Sequence, residues 1–292
     1  MNMGMSGKLI KEMFNASELP IIEFSLQDVS QKAQKAAGKL SISGVQPKLS
    51  MKLDKKNNSL ISVAEGGEYI LKPQTAAFPN IPENEQCCMD IAAEFKIDVA
   101  SHCLLPLKDG SLAYIVKRFD RKSGVKIHQE DFFQILEAAD KYKGSVEQIG
   151  RKLREISTGP GYDVQLFFER VVFNFIIGNG DAHLKNYSIA YKDKENIRLT
   201  PAYDIVCSKL VIPDEEDSAL SINGRKNKLK RDDFDKMADY FNIPIKIRYE
   251  KFEKSFKLME TIIKNSEIKA EVQVRFIDII KERLLRMDLA EE

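Results

Sequence analysis

Ile177-Gly178-Asn179-Gly180-Asp181-Ala182-His183-Leu184-Lys185-Asn186-Tyr187-Ser188-Ile189 is the stretch from which the fold and the chemistry of this chain can be read. It sets an acid, Asp181, and an amide, Asn186, five positions apart behind a pair of glycines. Val171-Val172-Phe173-Asn174-Phe175-Ile176-Ile177 leads in, and Tyr187-Ser188-Ile189-Ala190-Tyr191 leads out. Polar groups lodged between two apolar segments must find partners or do chemistry. A second acid follows in Leu199-Thr200-Pro201-Ala202-Tyr203-Asp204. Phosphoryl transfer asks for such a set: one carboxylate to orient the attacking hydroxyl, an amide oxygen and a second carboxylate to hold the metal that bridges the phosphates. Gly-Asn-Gly-Asp is also the composition of a surface turn, since Gly and Asn tolerate positive φ and Asp caps turns. The flanking apolar runs weigh against that simpler reading.

Composition narrows the classes. The 292 residues suffice for one large or two modest domains. Forty-five basic against 44 acidic residues leave a formal charge of +1, which argues against a protein that coats nucleic acid. No apolar run reaches the ~20 residues of a membrane span, and Met1 to Glu12 lacks the core of a secretory signal. No membrane partner and no direct nucleic-acid binding are therefore expected. Cys87, Cys88, Cys103 and Cys207 form no CxxC pair and only three histidines accompany them, so a structural zinc site is not expected and a reducing cytoplasm is. Cys87 and Cys88 read as small core residues.

Working outward toward the N-terminus, residues 1–39 read as a peripheral lead-in, with Ser25 or Asp28 capping a short helix. Leu49 to Leu53 alternates apolar and polar, and Leu60 to Val63 and Tyr69 to Leu71 add two short strands, which predicts an antiparallel meander. Glu83 to Phe95 reads as a helix, followed by strands over Ala100 to Leu107 and Leu112 to Phe119. From residue 131 the periodicity turns helical: Phe132 to Tyr142, Ser145 to Ile156, Val164 to Ile177, Phe234 to Phe241, Ile245 to Lys264 and Ile268 to Leu289. The expected architecture is α+β. A sheet-rich lobe over residues 1–119 precedes a mostly helical lobe over 120–292, with the junction near residues 118–130.

Three further pieces fit a nucleotide. Ser43-Gly44-Val45-Gln46 lies in a small turn opening into a strand, where backbone N–H groups can approach a triphosphate, although one glycine is a weak signal by itself. Lys72 closes the apolar run Tyr69-Ile70-Leu71. Facing inward it needs an anionic partner, with Glu85 the first choice and Glu83 the second; the alternative is a lysine that ends its strand in solvent. Tyr114-Ile115-Val116-Lys117-Arg118-Phe119 precedes the expected junction, where backbone groups can bond an adenine edge and Phe119 can cover the ring. His128-Gln129-Glu130-Asp131-Phe132 is expected to open a helix.

These motifs in combination resemble the HipA-type serine/threonine kinases, the toxins of bacterial toxin–antitoxin pairs. The resemblance is carried by Ser41-Ile42-Ser43-Gly44-Val45-Gln46-Pro47-Lys48, Tyr69 to Lys72, Val116 to Arg121, His128 to Phe132, Gly178 to Ser188 and Tyr203-Asp204, and spans roughly residues 38–290. It implies a bilobal protein-kinase-like fold and a Mg2+–ATP-dependent reaction. It makes Asp181 the catalytic base, supported by His183 unless that ring merely packs under the loop. Lys72 becomes the phosphate-binding lysine, with Lys185 also assigned to the nucleotide, and Asn186 and Asp204 become the magnesium ligands. Lys117 and Phe119 would offer backbone bonds to adenine. Ser41, or its neighbour Ser43, would be autophosphorylated, and a phosphate there would repel the nucleotide. The short lead-in resembles the HipT-like members, whose missing N-terminal piece is a separate small protein. The implied partners are a DNA-binding antitoxin and, as substrate, an aminoacyl-tRNA synthetase.

Two other classes compete with that reading. A small-molecule kinase would share the acid and the metal ligands but would carry no phosphate on Ser41 or Ser43. A kinase-shaped regulatory partner of an antitoxin would transfer no phosphate at all. Asp214-Glu215-Glu216-Asp217 and the basic run Arg225 to Arg231 read as solvated surface.

Overall fold

The computed structural model describes residues 6–37, 47–122 and 124–290. The expected positions Ser41, Ser43, Gly44, Val45 and Gln46 lie outside the described residues. The chain divides into two compact units, Met1–Gln86 with Ala100–Lys126, and Cys87–Val99 with Ile127–Glu292.

In the first unit, helices α1 (Gly7–Phe14) and α2 (Leu26–Ala37) precede strands β1 (Leu49–Asp54), β2 (Ser59–Ser62) and β3 (Tyr69–Pro73). Helix α3 (Ile81–Glu94) gives its first residues to this unit and the remainder to the second. Strands β4 (His102–Pro106) and β5 (Leu112–Lys117) and the two-residue strands β6 (Arg121–Lys122) and β7 (Val125–Lys126) follow. The five-stranded sheet runs β2-β1-β3-β5-β4 with antiparallel pairing throughout. The expected meander is therefore corrected: β1, not β2, lies in the middle, because β3 pairs with the far edge of β1. The lead-in is not peripheral either. Ile10, Met13 and Phe14 of α1, with Ile22 and Val29, are buried in the core formed by Leu49, Met51, Leu71 and Ile115. Its helical pattern had been masked by the polar residues between those positions. Ser25 and Asp28 both cap α2, reciprocally, at 2.9 and 3.3 Å.

The second unit begins with β8 (His128–Asp131), α4 (Phe132–Ile135), α5 (Val146–Ile156) and α6 (Pro160–Ile176). It continues through β9 (Ser188–Asp193), β10 (Asn196–Leu199), α7 (Arg231–Tyr240), α8 (Phe256–Lys264) and α9 (Ala270–Arg286). Its small sheet runs β10-β9-β8. The helices bury an aromatic core that includes Phe167, Phe173, Phe175, Phe234, Phe252 and Phe276, with Phe175 and Phe234 ring centres 4.9 Å apart.

Two helices shrink against expectation. Ile245 to Lys264 is one 3-10 turn, Ile245–Ile247, then α8, with Lys254 at φ 53° between them. Phe132 to Tyr142 keeps only α4, because Glu137 takes φ 49° and the Asp140 side chain accepts the Tyr142 N–H at 2.9 Å. His128 to Asp131 is a strand, and only Asp131 serves the helix, as its N-cap. The early end of α4 matters for the site, since it puts Lys141 and Tyr142 on a loop.

Candidate active site

Helix α6 ends in a way that fixes the acidic turn. Gly178 takes φ +72° after the last helical residues; its N–H donates to the Phe175 carbonyl and that of Asn179 to the Asn174 carbonyl, at 3.1 and 2.8 Å. This is a Schellman stop, which needs a residue free of the left-handed penalty. Asn179 is buried, and its side-chain amide donates to Asn174 Oδ1 at 3.0 Å. Asn174 in turn donates to the Tyr187 hydroxyl at 3.0 Å. One chain of bonds thus ties the helix end to Tyr187, the residue just before β9, and the loop between is held at both ends.

Inside that loop, Leu184–Asn186 forms a single 3-10 turn. The His183 N–H donates to Asn186 Oδ1 at 2.9 Å, and the Asn186 N–H donates to the His183 carbonyl at 2.9 Å. Asn186 Nδ2 donates to Asp204 Oδ2 at 3.0 Å. Asp204 sits at φ 59°, a conformation that Asp tolerates better than most residues. The structure therefore brings Asn186 and Asp204 together beside the turn that bears Asp181. Asp181 is exposed, and its Oδ1 accepts the Tyr142 hydroxyl at 2.9 Å. Burial and then the Asp181 charge push the Tyr142 phenol up to about 12, so it remains a donor.

His183 is buried beneath the loop. Lys141 Nζ lies 2.8 Å from its Nε2, and the Tyr142 ring meets it edge-on at 5.3 Å. An ammonium only donates, so Nε2 accepts and the ring proton is assigned to Nδ1. Burial, with the Lys141 charge adding to it and Asp181 opposing, lowers the His183 pKa and keeps the ring neutral. Of the two parts expected for it, packing under the loop is the one this geometry describes. The Lys185 ammonium lies over the Phe133 ring, 4.6 Å from its centre.

In the first unit, Lys72 is 4 % exposed and its Nζ lies 2.6 Å from Oε1 of Glu85, itself 1 % exposed. The solvent-facing alternative for Lys72 is thereby removed. Alternation along β3 explains the placement, since Leu71 faces the core and Lys72 the other side, over the Tyr114 ring at 5.6 Å. The second choice, Glu83, instead accepts from Gln74 Nε2 at 2.6 Å. The Lys117 N–H is committed to the Ser101 carbonyl at 2.8 Å and its ammonium to the Glu12 carbonyl at 2.7 Å. Phe119 is half-buried.

Sequence reasoning missed Tyr142, Lys141, Asn174 and Asn179, and misjudged the acidic run. Asp217 is not solvated: it is 5 % exposed and binds Arg283 and Arg286 of α9, while the Leu229 N–H donates to it at 3.0 Å. Glu215 is half-buried against Gly180 and Ser208. Acidic residues eleven and thirteen positions after Asp204 carry no periodic signal that would have separated these fates.

Among the described residues no three His, Cys, Asp or Glu side chains converge as a metal cage. Magnesium does not need one; it takes one or two protein oxygens and the rest from phosphates and water. Asp204 offers a carboxylate and Asn186 an amide oxygen, which here accepts the His183 N–H while the amide nitrogen faces Asp204; both are donor types that such an ion takes.

Residues 40–272 match the model of the HipA-like C-terminal domain. With a two-unit α+β kinase-type fold and an Asp/Asn/Asp loop in place, the chain belongs to the HipA-like C-terminal domain family. A Sinorhizobium fredii protein named "Putative kinase Y4dM" is 38 % identical over 213 residues, 67 % of this chain and 51 % of that protein. The Shewanella oneidensis serine/threonine-protein kinase toxin HipA is 26 % identical over 208 residues, 63 % of this chain and 47 % of that protein. The chain thus spans about half the length of the curated relatives it matches. In structure it resembles HipA of Shewanella oneidensis, solved in complex with HipB and operator DNA, with a TM-score of 0.71 at 19 % identity over 98 % of this chain and 74 % of that one. That likeness establishes the fold. No helix among the described residues is long and apolar enough to cross a membrane.

Proposed function

We propose that this chain is a Mg2+–ATP-dependent serine/threonine protein kinase that acts as the toxin of a toxin–antitoxin pair. The observation that carries the reading is the bonded set His183–Asn186–Asp204, with Asp181 exposed at the head of the same loop. Asp181 takes the proton of the acceptor hydroxyl as its oxygen attacks the γ-phosphorus and ADP leaves. Asn186 and Asp204 would hold a magnesium ion, which would neutralise charge on the phosphate oxygens. The buried Lys72–Glu85 pair supplies the ammonium that orients the phosphates. Autophosphorylation at Ser41 or Ser43, an antitoxin with a DNA-binding domain, an aminoacyl-tRNA synthetase as substrate and a cytoplasmic setting complete the proposal. Kinship with HipA supports them.

The experiment is transfer of labelled phosphate from ATP to a panel of purified synthetases, with mass spectrometry of the chain itself. Asp181→Asn is expected to lose ~10²-fold or more in rate, the size of effect for a positioned acid–base group. Full activity in that variant would remove Asp181 from the mechanism. Absence of transfer to any protein by the wild type would end the protein-kinase reading.

A further inference from the structure

We propose that Glu215 is a positioning residue for the turn that carries Asp181, holding that turn from below and setting the charge beside the acid. The proposal rests on the reading of Asp181 as proton acceptor and deepens it.

The segment after Asp204 folds back onto residues 178–181 at two levels. The Lys209 N–H donates to the Gly178 carbonyl at 3.1 Å. Glu215 Oε1 accepts the Ser208 hydroxyl at 2.7 Å and the Gly180 N–H at 3.3 Å. Lys209 Nζ then donates to the Glu215 carbonyl at 3.0 Å and closes the strap. The approach is so close that only glycine fits at position 180. A Cβ there would lie 2.4 Å from the Glu216 carbonyl oxygen and 2.6 Å from the Glu215 carboxyl carbon. The second glycine of Gly-Asn-Gly-Asp is thus explained by room for Glu215, not by a positive φ.

The groups facing the carboxyl are Asp181 and Tyr142 from the loop side, with Lys209 and Cys207 from its own segment. Burial comes first and the Asp181 charge adds to it. Bonds from Ser208 and Gly180 and the Lys209 charge oppose both, and Glu215 is left raised to about 7. Near neutral pH, then, a charge comes and goes next to Asp181. An ionised Glu215 favours arrival of the acceptor's proton at Asp181 and a neutral one does not. The linkage has a definite sign: the folded chain keeps a proton that the unfolded chain loses near 4.5, so stability falls as pH rises from about 4.5 to about 7 and is level above.

The test uses the full chain, Glu215→Gln, and Asp181→Asn as control. Thermal unfolding at pH 5.5 and 8 reads the first effect without any assay of transfer. The wild type is expected to lose melting temperature between the two pH values relative to Glu215→Gln. In phosphate transfer, kcat/KM of the wild type should rise through a limb near pH 7 that Glu215→Gln lacks. At pH 8 the variant's kcat should be roughly three- to tenfold lower with KM for ATP little changed. A melting difference that is the same at both pH values, or an unaltered limb in the variant, overturns the proposal. Should Glu215→Gln not fold, Ser208→Ala takes its place; loss of the hydroxyl that favours the carboxylate must move the limb upward, and a fixed limb counts against Glu215. A wild type without transfer activity fails the kinase reading alone, and the melting comparison then decides the inference by itself.

Discussion

Glu215 and Asp217 stand two residues apart in one acidic run and end in opposite electrostatic states. Burial works against ionisation of both. At Asp217, hydrogen bonds from Arg286 and Arg283 and from the Leu229 N–H overcome it and hold the carboxyl below its ordinary value. Glu215 has a neutral hydroxyl, one long backbone bond and a neighbouring acid, and is raised to about 7. Burial alone therefore says little about a carboxylate; the partners on the facing elements decide its state. The two have different work to match: Asp217 ties the segment to α9, while Glu215 lies against the acidic turn.

The contrast can be broken at its strong end first. Asp217→Ala removes the buried counter-charge of Arg283, 3 % exposed, leaving it the 3.4 Å contact to the exposed Glu282, and should cost about 3–5 kcal/mol in chemical denaturation. A loss below ~1 kcal/mol would mean that solvent, not Asp217, satisfies those arginines. Gly180→Ala comes next. The added methyl meets backbone, which cannot swing aside, so about 1–3 kcal/mol of overpacking and a displaced 215–216 segment are expected, the latter visible as faster amide exchange there. The smallest effect is Tyr142→Phe, which removes one bond to Asp181 from a side chain 40 % exposed. About 1 kcal/mol or less of stability should go, with kcat falling more than KM rises. Stability against pH sharpens the pairing further. The Asp217 contribution is present above the ordinary Asp range near 3.8 and lost as acid titrates it, whereas the Glu215 penalty grows between about 4.5 and 7. Urea midpoints should therefore peak in mildly acid solution, and Asp217→Asn should lower them throughout and flatten the acid side of that peak.

The same division runs through what could be read from the sequence. Residues tied to local pattern were legible: the alternation of β1, the β3 lysine, the Asp181/Asn186 spacing, and the buried Cys87 and Cys88. So was Glu85, because it lies one helical turn into α3, within reach of an inward lysine. What failed was one local helix stop and whatever depends on distant partners. Tyr142 was assigned to a helix that stops seven residues earlier, since the apolar spacing continues after Glu137 has left the helical region. Asp217 was read as solvated because its arginines lie more than sixty positions away on α9. The order of β1 and β2 in the sheet was misjudged for the same reason: a turn between two strands is local, but which edge takes the third strand is not.

The burial of Ile10, Met13 and Phe14 carries a practical warning. The family match begins at residue 40, and a fragment cut at that border would keep every matched residue. It would nonetheless lose the greasy plug that seals Leu49, Met51 and Leu71, and should emerge from expression as an insoluble or chaperone-bound product. The boundary of the family match and the edge of the buried core are different places on this chain.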